Sequence, residues 1–205
     1  MGKIFNYDSK FFAGMTKVSD TIIINILFVI CSIPIVTIGA SITALYSVSM
    51  KITRDEDIYA AKEFIKQFKQ NFKQSTIIWI ILLVIGLFIG LDFYLCSLMS
   101  DNTISMIFKF IFTIVSVVLA FILIYVFPLT ARFENSIKNT LMNAVLMSIK
   151  HLPYTLIMLV LTLMPLGAFV LFGKYWGQIV FLDTCISFGV VAYINSMLLN
   201  KIFNG

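Results

Sequence analysis

Three ionisable residues stand inside long apolar runs of the chain: Asp92, Lys109 and Asp183. A charge in hydrocarbon is costly and needs a partner, so residues of this kind mark places where a membrane protein binds or pairs charge. Each lies about six residues from the same end of its run, hence about 9 Å deep at about 1.5 Å rise per residue. Two carboxylates and one ammonium at one level would form a neutralised cluster or line a cavity open to that face. The alternative is that each side chain reaches the interface separately. Other chemistry has less footing. His151 is the single histidine, which leaves a Ser-His-Asp triad or a conventional metal site without its usual members. Cys31, Cys96 and Cys185 stand singly in apolar runs without C-x-x-C spacing, the pattern of small packing side chains. The sequence has no P-loop, no G-x-S-x-G and no H-E-x-x-H. The expectation is a non-enzymatic protein with no catalytic residue, cofactor or metal.

The elements that would carry these residues follow from composition. Of 205 residues, 60% are hydrophobic and 12% charged, whereas soluble domains run at about 45–50% apolar and about 25% charged. A mean hydropathy of +1.00 exceeds what one core of this size can hide. About 20 apolar residues cross a hydrocarbon layer of about 30 Å. Residues 75–98, 104–128, 152–172 and 178–199 meet that length. A fifth stretch, 21–50, is interrupted at Pro34 and again near Gly39. It reads either as one crossing helix broken near Pro34 or as a re-entrant hairpin of two short arms. The expected fold class is all-α: residues 1–205 form one polytopic membrane bundle of about five transmembrane helices, with amphipathic helices on the cytoplasmic side.

Basic residues orient that bundle. Lys51, Arg54, Lys62, Lys66, Lys69 and Lys73 fill one loop, and Arg132, Lys138 and Lys150 another; the connections around Asp101 and Lys174 carry little positive charge. The positive-inside rule places both basic loops, and Lys201, in the cytoplasm. The unbroken apolar run before Pro34 favours a crossing, which would put Lys3, Lys10 and Lys17 outside. A hairpin would keep them inside. Apolar residues begin in earnest at Thr21 and no A-x-A-like site follows, so a cleavable signal is not expected.

Within the first basic loop, Ala61, Phe64, Ile65, Phe68 and Phe72 recur at helical spacing. Lys62, Lys66, Lys69 and Lys73 form a second stripe, about 120° round the helix at about 100° per residue. This pattern describes either a helix lying in the inner interface or a solvated linker capping the bundle. In the first case each lysine would gain about 1 kcal/mol from anionic head groups. Nucleic acid is not an expected partner, because the stripe is short and interleaved with phenylalanines. Residues 135–152 repeat the pattern, and setting Phe72 against Leu152 brings Ser75 onto Thr155. Two parallel units of amphipathic helix plus two spans are therefore expected. Arg132 and Glu134, at a cytoplasmic helix end, are expected to form a local ion pair or to dock a partner. Asn25 and Asn195 are expected to be hydrogen-bond contacts between helices.

Three blocks resemble, in order, those of the YesL-like proteins: NILFVICSIPIVTIGASITALYSV at 25–48, FIKQFKQNFKQSTIIWII at 64–81 and FPLTARFENSIKNTLMNAVLMSIKHLPYTL at 127–156. Pro34, Gly39, Phe68 and Phe72 stand where that pattern wants them, and the chain after the third block carries little of it. The resemblance implies a small multi-pass protein of the bacterial plasma membrane, usually from Gram-positive lineages. It also implies genes for carbohydrate ABC import and glycoside degradation as common neighbours. The family has no established activity, so it supplies no catalytic residues. The leading expectation is an accessory or assembly partner of a carbohydrate importer, touching its permease subunits. Residues 139–153 distantly resemble the coupling loop of such permeases, without its glycine. The alternative is a homo-oligomeric transporter or channel using the Asp92, Lys109 and Asp183 level.

Overall fold

A computed structural model describes residues 2–98, 103–171 and 173–204, with side chains for 11–98, 103, 105–165, 167 and 174–204. The connection around Asp101 lies outside the described residues. The elements are α1 (Gly2–Ser32), α2 (Ile38–Ile52), α3 (Ala60–Leu98), α4 (Thr103–Arg132), α5 (Ile137–Lys150), α6 (Leu152–Leu171), α7 (Trp176–Leu182), a π-helical turn (Asp183–Ser187) and α8 (Phe188–Asn204). No strand occurs among the described residues, and the all-α expectation holds.

Pro34 decides the first turn of the fold. It has no N–H and disfavours helical backbone at Ile33, so α1 stops at Ser32. Pro34 itself is extended, and a single 3-10 turn, Ile35–Thr37, leads into α2. Thr37 Oγ1 donates to the carbonyls of Cys31 (2.6 Å) and Pro34 (2.8 Å), satisfying acceptors that the broken helix leaves open. The chain then doubles back. Lys17 on α1 forms an ion pair with Asp55, just beyond α2, at 2.5 Å. The stretch 21–50 is thus a hairpin whose two ends meet, and the single crossing favoured by apolar continuity is not what forms. The physical reason is tertiary: α2 has better partners alongside α1 than in line with it. An N-terminal epitope tag and a maleimide-reactive Asp57→Cys are therefore expected to be accessible from one and the same side of sealed vesicles. Opposite-side accessibility would refute the hairpin.

Around α2 the core assembles. Gly39, Ala40, Ser41, Ala44, Ser47 and Ser49 are buried on it, small enough for neighbouring backbones to approach closely. The register against α3 is antiparallel: Trp79 Nε1 donates to the Ile35 carbonyl (2.8 Å), the Thr43 and Ser75 hydroxyls meet at 2.8 Å, and Lys51 pairs with Glu63 at 2.5 Å. Helix α8 runs parallel to α2, with Asn195 Nδ2 donating to the Tyr46 hydroxyl (3.2 Å) and Asn200 Nδ2 to the Met50 carbonyl (3.1 Å). Ile24, Phe64, Tyr125, Phe127 and Leu199 fill the space between these helices and α1 and α4.

Helix α3 is continuous over 39 residues, about 58 Å at about 1.5 Å each. The amphipathic segment and the span expected at 75–98 are one rod, because no proline or glycine separates Phe72 from Trp79. Its first half clasps α2; its second half pairs with α4. There Leu87, Phe88 and Leu91 on α3, and Phe110 and Ile114 on α4, are exposed, an apolar surface suited to lipid.

The second amphipathic segment behaves differently. Helix α5 lies along α4 and meets α6 at a bend of 104°. Pro153, in the first turn of α6, has no N–H to continue α5 through His151. The two expected parallel units are therefore not alike: one is a straight rod, the other a sharp elbow. Among the described residues, five helical stretches are long and apolar enough to cross a membrane: Phe11–Ser32, Ile35–Ile52, Ala60–Leu98, Ser105–Arg132 and Trp176–Asn204. The bent α5–α6 pair would make six. The expected number stands with altered membership. The stretch 21–50 contributes two arms, and 152–172 is one limb of the elbow, its Phe172 outside the described residues.

Candidate functional site

The basic residues converge at one end of the bundle. The ends of α2, α4 and α8 meet the first half of α3 there, around a polar cavity of about 380 Å³ lined by Lys51, Arg54, Gln67, Gln70, Asn71 and Arg132 among others. Its cations are spoken for in different ways. Lys51 pairs with Glu63, which lies below the Ser75 start of the expected span, and the nearby ammonium holds the Glu63 carboxyl below its usual range. Arg54 pairs with Glu56 at 2.7 Å. Arg132 is held by neutral groups: Nη1 donates to Asn200 Oδ1 (2.7 Å), Nη2 to Asn204 Oδ1, and the guanidinium lies 5.8 and 5.3 Å from the ring centroids of Phe133 and Phe203. The arrangement ties α4 to α8.

The expected Arg132–Glu134 ion pair does not form. Helix α4 ends at Arg132, Glu134 in the irregular stretch that follows is exposed, and Arg132 turns toward α8. Sequence reading missed Asn200 and Asn204 as its partners. Their i, i+4 spacing on the last helix was the available signal.

On α3 the two stripes separate by face. Phe64 is 0% exposed and packs into the α2 core, and Phe68 packs against that core and meets the exposed Phe72 edge-to-face at 5.5 Å. Lys62, Lys66, Lys69 and Lys73 are all exposed, with Lys66 at 3.8 Å from Glu63. Phe64 and Phe68, read as lying either in the inner interface or on a linker capping the bundle, pack toward α2. Because the helix runs straight on into the apolar half of α3, this segment does not lie flat as a separate interfacial helix.

The intramembrane level is only partly assembled. Asp92 and Lys109 are half-buried on the mutually packed α3 and α4, whereas Asp183 opens the π-helical turn, which packs on α1, α7 and α8. No ion pair among the described residues joins the three. Asp183 is 6% exposed, and its Oδ2 is buried without a hydrogen-bond partner. The turn it opens is braced by Asn25. Nδ2 donates to the carbonyls of Asp183 (3.3 Å) and Thr184 (2.7 Å), and Oδ1 accepts from the Gly189 N–H (2.6 Å). A π turn adds one residue to the helix and frees backbone groups from their usual partners, which this one amide satisfies. Asn195 likewise bridges three helices, donating to Tyr46 on α2 and to Thr162 Oγ1 on α6 at 3.1 Å. Both asparagines play the expected role.

No three His, Cys, Asp or Glu side chains among the described residues are grouped to hold a metal ion. The three cysteines are free thiols. Residues 21–93 match the family model described as protein of unknown function, DUF624, the family that includes the YesL-like proteins. The matched segment runs from α1 through the hairpin to the far part of α3. No curated protein and no solved structure matches the chain.

Proposed function

We propose that this chain, a DUF624 protein over residues 21–93, is a non-enzymatic membrane partner of a carbohydrate importer that docks permease subunits through its basic end. The observation that carries this reading is the lysine face of α3. Lys62, Lys66, Lys69 and Lys73 are exposed along a helix whose opposite face is locked onto α2, so the cations are presented on a rigid rod. Complementary charge on such a surface selects and orients a partner. The importer as partner follows from the resemblance to YesL-like proteins, as does placement in the plasma membrane of Gram-positive bacteria. By the positive-inside rule the basic end is cytoplasmic, where anionic lipid head groups would also meet the lysines.

Affinity capture from gently solubilised native membranes tests this. An importer permease is expected in stoichiometric yield with the native chain. Changing all four lysines to glutamate should cut that yield roughly tenfold or more, because like charges then face each other. Recovery of the protein alone as a homo-oligomer, or a permease yield indifferent to the four changes, sinks the docking role. A second reading, an oligomeric transporter or channel with an intramembrane acidic site, is favoured by one observation: the burial of Asp183 without a partner for its Oδ2.

A further inference from the structure

The groove beside Asp183 pairs one buried acid with walls that are otherwise almost wholly apolar. Met164 and Pro165 of α6 form one wall; Ile179 and Leu182 of α7 and Ile186 and Val190 around the π turn form the other, enclosing about 360 Å³. The other polar side chain among the described lining residues is Ser187. Pro165 interrupts the hydrogen bonding of α6 and the π turn interrupts that of the facing helix, so both walls are irregular at the same place. A surface of this shape takes an apolar guest.

The carboxyl group decides which apolar guest. Asp183 Oδ2 is buried without a hydrogen-bond partner, and the carboxyl has no ion-pair partner among the described residues. A buried carboxylate is stabilised only by a counter-charge or by donors, and the described walls supply one hydroxyl. Asn25 spends its amide on the backbone of the turn and gives none of its donors to the Asp183 carboxyl. An orphaned buried acid in a native fold calls for an explanation. We propose that this groove binds a lipophilic organic cation, its apolar body against Ile179, Leu182, Ile186 and Val190 and its charge beside Asp183. The site names a ligand class for the second reading above and rests on it. It is independent of the lysine face of α3.

The test is equilibrium binding of tetraphenylphosphonium to the full chain in phosphatidylcholine nanodiscs, with empty nanodiscs as background. Tetraphenylborate, of the same shape and opposite charge, is the control. The native chain should bind the cation saturably and the borate no better than empty discs. Asp183→Asn should weaken cation binding at least about tenfold, since it removes the counter-charge and leaves the shape unchanged. Val190→Trp should weaken it too, by filling the groove while keeping the acid, so a folding defect specific to Asp183→Asn cannot account for both losses. Cation binding that survives Asp183→Asn, or equal binding of cation and borate, overturns the proposal and makes the groove a seat for lipid acyl chains. The assay reads occupancy alone. Uptake of some other solute that Asp183→Asn abolishes would keep the transporter reading while this ligand class fails.

Discussion

Gly39→Ala is expected to destabilise the fold by about 2–3 kcal/mol, the cost of forcing an extra carbon into a filled contact. Helix propensity alone predicts the opposite sign, since alanine is favoured over glycine by about 0.8–1.0 kcal/mol inside a helix. Geometry overrides it. A Cβ at position 39 would stand 2.6 Å from the Ser75 carbonyl oxygen, 2.6 Å from Trp79 Cβ and 3.1 Å from Phe127 Cε1. Two of those atoms belong to, or are fixed directly on, the backbone of α3, so relief requires moving a helix and not rotating a side chain. Moving it also strains the Thr43–Ser75 contact and the bond from Trp79 to Ile35. Thermal unfolding in detergent, followed by tryptophan fluorescence, reads the effect. Gly90→Ala is the control, because nothing lies within 4 Å of a Cβ there. Equal Tm for the two variants would reject the tight α2–α3 contact.

Asn25→Leu should cost about 2–4 kcal/mol, because each buried backbone group left without its partner costs about 1–3 kcal/mol. Three groups lose theirs: the carbonyls of Asp183 and Thr184 and the N–H of Gly189. Leucine keeps the branching and heavy-atom count of the asparagine side chain while removing its donors and acceptor. The same close approach is visible at Gly189, where a Cβ would fall 2.7 Å from the Thr21 carbonyl oxygen. Hydrogen exchange around Thr184 and Gly189 should rise sharply in the variant. Unchanged exchange and unchanged Tm together would mean that the π turn supports itself.

What was readable in advance depended on which physical effect sets each feature. The long apolar runs set α3, α4 and α8, since hydrocarbon admits few alternatives to helix. Asn25 and Asn195 were readable as bridges because a polar amide in an apolar run must find a partner. Pro34 announced a break but not the direction of the chain after it. That direction comes from α2 packing on α3 and α8 through small residues and side-chain hydrogen bonds, none of them periodic in sequence. The elbow at His151 and the straight rod through Ser75 were harder still, because both stretches share an amphipathic pattern; Pro153 was the distinguishing residue. Phe64 was read as lying either in the inner interface or on a linker capping the bundle, and hydropathy cannot tell a lipid neighbour from a protein one. The Asp92, Lys109 and Asp183 level was a matter of depth along helices, whereas proximity depends on which helices are neighbours. Depth alone could not say that the turn opened by Asp183 packs on α1, away from Asp92 and Lys109 on α3 and α4.

The hairpin at Pro34 also bears on how the chain enters its membrane. A crossing first segment would have to carry Lys3, Lys10 and Lys17 through the hydrocarbon, and a lysine at a bilayer centre costs about 2.5–3.5 kcal/mol on the insertion scale. A doubled-back pair inserts tip first. Its leading edge is Ile33, Ile35 and Val36, all exposed and apolar, with Ile33 at 76%. The lysine-bearing tail need never be translocated, and closing the Lys17–Asp55 pair at the base of the hairpin latches the two arms once they are in. Biogenesis of this protein can therefore begin with the α1–α2 pair as a preassembled wedge, onto which α3 and the later helices pack as they emerge.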